Sequence, residues 1–194
     1  MPNLFFAEQE LENSKRAFHQ FKQMKVFEPL NKDFQGFIMH LDLVFIKAER
    51  GCQDIKSKFQ PFQGKYKKLR REDPLLSYLK NARDAINHDN ATIYDFEDTN
   101  ILADIVKMTH KDGHGNEIIE EIPVFESVIK LKKFKINNQE WLPPTMHLGQ
   151  PLFCRADPTE VATLAFKFYE DFLKERDCPT KCVNKKYGVQ LCSL

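Results

Sequence analysis

No stretch of this chain holds the roughly 18 uninterrupted apolar residues that a membrane-spanning helix requires, so no membrane span is expected. Glycine-rich phosphate loops of the Walker or Rossmann kind are missing, as is a nucleophile elbow. Their absence argues against kinases, dehydrogenases and hydrolases of those types. A charge excess is missing too: the formal net charge is +1, so a surface for nucleic acid has to be local. The five cysteines, Cys52, Cys154, Cys178, Cys182 and Cys192, are odd in number and scattered, unlike a disulfide framework. Cys178-x3-Cys182 with Cys192 lacks both a CxxC knuckle and a nearby histidine. Neither a metal nor a cofactor is expected, and the thiols suit a reducing compartment. The opening Met1-Pro-Asn-Leu-Phe-Phe-Ala-Glu has no basic n-region, so no signal peptide is expected and a cytoplasmic location is the default. There is no internal repeat and no low-complexity tract.

What is present is an apolar share of 42% with 17 Phe in 194 residues, enough for a real core of packed helices. The spacing predicts a first helix from Leu4 to about Glu28, with Phe5, Leu11, Phe18, Phe21 and Val26 as apolar positions and Pro29 as its stop. A second begins at Asp33. Its run Phe37-Ile-Met-His-Leu-Asp-Leu-Val-Phe-Ile46 is nearly all apolar, which marks the central helix of a bundle. His40 and Asp42 are the exceptions within it, and a buried, hydrogen-bonded His40 is expected. Gly51 loosens or ends that helix. Lys56 to Arg71 carries seven Lys or Arg and no acidic residue, interleaved with Phe59, Phe62, Tyr66 and Leu69. This reads as a short amphipathic helix, with a break expected near Pro61 and Gly64. Lys65, Lys67, Lys68, Arg70 and Arg71 are candidate RNA-phosphate contacts; the plainer reading is a solvated helix face.

Beyond residue 89 the period changes. Strands are expected over Ile101–Thr109 and Glu117–Phe125, joined by the turn Asp112-Gly-His-Gly-Asn116. Pro123 suggests an edge or bulge. A third strand is expected over Val128–Ile136 with a slip near Lys132-Lys133, then a turn at Asn137-Asn138. His110 and His114 flank a glycine-rich turn and are poor metal ligands. Asp157-Pro-Thr-Glu160 starts a last helix that runs to about Glu175, and the tail beyond Cys178 looks loosely held.

The most informative stretch is Asp73-Pro-Leu-Leu-Ser-Tyr-Leu-Lys-Asn-Ala-Arg-Asp-Ala-Ile-Asn-His-Asp-Asn90. Asp73 suits the N-cap and Pro74 the first helical position. Leu75, Leu76, Leu79, Ala82 and Ile86 make one apolar stripe. Asp84 and His88 are four apart and share a face, so the carboxylate can orient the imidazole; Arg83 and Asn87 pair likewise. Arg83 and His88 lie five apart, roughly 140° around an ideal helix. They converge only if the last turn unwinds, if the arginine bends over, or if a second subunit completes the site. A histidine here could equally serve the negative end of the helix dipole.

The Arg-x4-His pattern of Arg83-Asp84-Ala85-Ile86-Asn87-His88, with a polar residue directly after the arginine, resembles the signature of the HEPN superfamily. The resemblance implies a helical bundle that dimerises, and in many members a metal-independent endoribonuclease. In that reading Arg83 and His88 are catalytic, Asp84 or Asn87 holds His88 or the backbone in place, and RNA is cut by attack of its own 2′-OH. RNA or nucleotide, a second copy of the chain, and a cognate antitoxin in a toxin or defence setting are the implied partners. The alternative is a non-catalytic HEPN-like module that binds nucleotide, RNA or protein. The expected architecture is α+β: a HEPN-like bundle over residues 1–95, a small antiparallel β segment over 96–156, and a C-terminal helix and tail over 157–194 that packs back to make one unit.

Overall fold

The computed structural model of the chain describes residues 3–23, 27–89, 91–111, 113–153 and 157–176. Val26, Asn90, Asp112, Cys154 and the tail with Cys178, Cys182 and Cys192 lie outside them. Helix α1 spans Phe5–Gln23 and helix α2 spans Phe27–Gly51. The buried stripe of α1 is Ala7, Leu11, Ser14, Ala17 and Phe21, at three- and four-residue spacing, with buried Leu4 just ahead of it. Phe5, expected inside, is 63% exposed because it falls off that stripe. Pro29 does not stop α1. It sits in the first turn of α2, where a missing N–H costs nothing. Phe34, Phe37, Ile38, Leu41, Val44, Phe45 and Ala48 are all buried, so α2 is the central helix that its apolar run predicts. His40, expected to be buried, is hydrogen-bonded to Glu10 but only partly buried.

Gly51 ends α2 for a reason of space. A Cβ there would come 1.9 Å from the Asn3 carbonyl oxygen and 2.9 Å from its carbon. The Asn3 N–H donates to the Gly51 carbonyl at 2.8 Å, fixing that approach. Gly51→Ala is therefore expected to cost about 1–3 kcal/mol, the usual range for forced overpacking. The reading is the urea midpoint; no change in it would mean the Asn3–Leu4 segment swings clear without loss.

After a short 3-10 turn at Gln53–Ile55, helix α3 runs unbroken over Lys56–Glu72, so the break expected at Pro61 does not occur. Pro61 is exposed, and water can reach the carbonyl its ring leaves unbonded, while buried Phe59, Gln63 and Tyr66 hold the helix to the core. Helix α4 covers Pro74–Asp89 and buries Leu75, Leu76, Tyr78, Leu79, Ala82, Ala85 and Ile86. Its cap is as expected, with Asp73 Oδ1 accepting from Leu76 N–H at 2.9 Å. The same carboxylate also meets His147 Nδ1 at 3.0 Å and the Leu148 N–H at 2.5 Å. Those two bonds dock the small hairpin of β5 (Met146–His147) and β6 (Gln150–Pro151) on α4. Leu148 sits at φ 47°, a left-handed conformation costly for a leucine and held in place by that N–H bond.

The described β residues form three separate two-stranded pairs. Strand β1 (Tyr94–Lys111) pairs antiparallel with β2 (Glu117–Leu131), with register shifts between Asp98 and Asp104. Strand β3 (Phe134–Ile136) pairs with β4 (Gln139–Trp141) through a turn with Asn137 and Asn138 both at positive φ. The third strand expected over Val128–Ile136 is thus split. Val128–Leu131 completes β2, because β1 starts at Tyr94, and only Phe134–Ile136 begins the next hairpin. Tyr78 clamps the base of the long pair, its hydroxyl reaching the Lys132 carbonyl at 2.8 Å and the Ile93 carbonyl at 3.3 Å. Burial pushes both the Tyr78 phenol and, to about 12, the Tyr94 phenol upward.

Helix α5 (Pro158–Arg176) returns to the bundle and places Phe172 among Phe45, Phe59, Phe62 and Tyr66. Asp157 caps it through the Thr159 N–H at 2.8 Å, whereas Glu160 turns to the Phe153 N–H. One apolar cluster joins all five helices with Leu131, Phe134, Ile136 and Leu152. The observed class is α+β, with five helices and small antiparallel pairs among the described residues. None of the described helices is long and apolar enough to cross a membrane.

Candidate functional site

The polar centre of the bundle is Asp42, the lone carboxylate of the apolar run on α2. Such a group is stable inside only when cations meet it. Two do. Its Oδ1 takes Arg70 Nη2 of α3 in a short contact, and its Oδ2 lies 3.1 Å from Arg83 Nη2 of α4. Arg70 and Asp42 side chains are each 11% exposed, Arg83 26%. The Arg70 guanidinium lies 4.5 Å from the Phe45 ring centre and 5.7 Å from that of Tyr169, a cation–π seat between α2 and α5. Burial works to lower the Arg70 pKa, but Tyr169 and Asp42 together hold it above its ordinary value. Burial raises the Tyr169 phenol, and Arg70 beside it works to lower it.

Arg83 has a second carboxylate at hand: its Nε lies 3.1 Å from Asp84 Oδ1, close enough for charge attraction though not aligned as a hydrogen bond. Asp42, Arg70, Arg83, Lys80 and Tyr169 line a half-open cavity of about 10 Å³ together with Ile38, Leu41, Leu76 and Leu79. That is room for about one water molecule and none for a nucleotide.

His88 is in the last turn of α4, exposed, its side chain without a hydrogen bond or ion pair among the described residues. Asn87 is exposed as well. Asp84 therefore spends its carboxylate on neighbouring Arg83 and does not orient the imidazole four residues on. Because α4 is helical through Asp89, its end does not unwind to bring Arg83 and His88 together. Arg83 is drawn inward by Asp42, and His88 faces solvent. Of the three routes to convergence, a partner subunit is the one the single chain leaves open.

The basic residues of α3 divide in the same way. Lys65 and Arg71 are exposed without a partner among the described residues. Lys67 pairs with Glu49 at 3.3 Å and Lys68 with Glu72 at 3.9 Å, both on the surface where such pairs are weak. Arg70 is different: sealed beneath Tyr169 and bound to Asp42, it serves the core and is out of reach of an RNA phosphate. Sequence reasoning missed Asp42, Lys80 and Tyr169. The signal for Asp42 was there, since a carboxylate in ten nearly continuous apolar residues demands a buried cation. Nothing local marks Tyr169, which lies among the apolar residues of its own helix.

Comparison with known proteins yields no family model, no curated protein and no solved structure that matches this chain.

Proposed function

We propose that the chain is a HEPN-like, metal-independent endoribonuclease acting as a homodimer, with His88 as acid–base group and Arg83 as the cation facing the reacting phosphate. The observation that supports this most is the contrast at the end of α4. His88 is open to solvent and unengaged, while Arg83, a turn and a half back, is aimed by two carboxylates and still partly exposed. An imidazole titrates near neutral pH and suits proton transfer to and from a ribose 2′-OH. The RNA supplies that nucleophile itself, so the leaving 5′-oxygen takes a proton and a 2′,3′-cyclic phosphate remains. The guanidinium has N–H groups beyond those aimed at Asp42 and Asp84, enough to meet charge building on the phosphorane oxygens. Asn87 and exposed Lys65, Lys67, Lys68 and Arg71 would hold the RNA backbone, and a toxin or defence role with a cognate antitoxin belongs to the same proposal.

A second reading, a non-catalytic module for nucleotide, RNA or protein, is favoured by a specific feature: the Arg83 charge is already balanced by Asp42 and Asp84. One experiment separates the two. Under the nuclease reading, purified protein cleaves single-stranded RNA in EDTA, and His88→Ala slows that about a hundredfold or more, the scale of a lost acid–base group. Because His88 is exposed, the variant should melt within a degree or so of the parent, as surface changes do. RNA that is bound but uncut by wild type, or cut equally by His88→Ala, removes the catalytic assignment and leaves the module.

A further inference from the structure

The feature the site does not use is the long β1–β2 pair. Its base is in the core through Tyr94 and Leu131, but outward from Ile101 its described side chains are exposed. Nine large apolar residues on it are 37–63% exposed, among them Ile101, Leu102, Ile105, Met108 and Ile119. A lone two-stranded ribbon is marginal in water, and monomers rarely show apolar surface in such concentration. Its charge is equally one-sided. Residues 94–131 carry nine carboxylates and three lysines, leaving 26 Lys or Arg against 19 carboxylates in the remainder. Two of those lysines are engaged within the ribbon, Lys107 with Glu121 and Lys130 with Glu97. The opposite charge is gathered on α3, where seven Lys or Arg face one Glu. Lys56, Lys58, Lys65 and Arg71 are exposed there without a partner among the described residues. Near the start of α3, where Gly51 meets Asn3, the exposed rings of Phe5 and Phe6 add apolar surface.

We infer that the β1–β2 ribbon is a dimerisation arm, and that the arm of each copy lies across the basic α3 face of the other. The occupant is a second copy because this chain itself carries the complementary surface. Arm-to-arm packing would bring like charges together, whereas reciprocal exchange pairs acidic with basic twice and closes on a two-fold axis. Strands of 18 and 15 residues also supply the 20–30 residues a side that a standard interface uses. The inference shares the homodimer with the nuclease reading but not its chemistry, since the arm and α3 variants change the mass whether or not RNA is cut. It does bear on RNA: an arm seated on α3 shields the cations RNA would contact.

The test is light scattering on size-separated full-length protein. The expected mass is twice the 22.8 kDa of one chain, with a Kd that rises about tenfold as salt goes from about 0.1 to 1 M and screening tightens. Glu117→Lys/Glu120→Lys on the arm should give monomers, and so should Lys58→Glu/Lys65→Glu on α3. All four side chains are exposed, so far-ultraviolet circular dichroism should be unaltered. Mixing the two variants should restore a dimer, because each arm then faces opposite charge. A monomeric wild type, an arm variant that stays dimeric, or a mixture that stays monomeric each overturns the proposal.

Discussion

Replacing Asp42 by alanine is expected to lower the free energy of unfolding by about 3–5 kcal/mol, the cost of removing one partner from a buried ion pair. Two guanidiniums depend on this carboxylate. Arg83 keeps Asp84, but Arg70 is left under Phe45 and Tyr169 with its charge uncompensated. The loss is mainly Arg70's desolvation, so the size of the effect depends on whether that cation remains. Asp42→Leu combined with Arg70→Met should therefore recover much of what Asp42→Ala loses, since apolar groups of similar volume often replace a buried pair at little cost. Urea titration of wild type and the two variants gives the comparison. If the double variant is no more stable than Asp42→Ala, then the carboxylate matters for something other than neutralising Arg70.

Phe172→Ala should cost a similar amount, about 3–5 kcal/mol, through a cavity in place of a ring. Phe172 is 1% exposed and lies between three helices. Its ring is stacked 4.8 Å from Phe45 on α2, stacked 5.6 Å from Phe62 on α3, and edge-on 4.9 Å from Tyr66. Such pairs add to plain area burial. Because α5 docks on α2 and α3 through this side chain, the site cannot collapse without shifting a whole helix. Against a typical total of about 5–15 kcal/mol, the variant should melt far below the parent with an unchanged m-value. A loss under about 1 kcal/mol would show that α5 repacks easily, and would undercut the account of how it closes the bundle.

Much of the architecture was legible along the chain because helix periodicity and caps are local. The stripe from Leu75 to Ile86, the Asp73 cap, the apolar run of α2 and the Asp157 start of α5 all sit where spacing and turn chemistry put them. The errors have the same local origin. Pro29 and Pro61 looked like stops, yet a first-turn position and an exposed face absorb them. Val128–Ile136 read as one strand because alternation cannot reveal that β1 already begins at Tyr94. Arg83 and His88 were legible as residue types, and the 140° between them raised the question of a second subunit before any coordinates.

By itself, then, the order of residues determined which segments coil, where most of them end, and that Asp42 had to meet a cation if buried. Only the tertiary structure decided which cations: Arg70 is 28 residues from Asp42 and Arg83 further still, and no local pattern ranks such partners. It also decided that Arg83 turns inward while His88 stays in water, and that the ribbon's apolar side chains stay exposed outward from Ile101. Those outcomes come from packing and charge acting between distant segments, which compete for one another only after the chain has closed on its core.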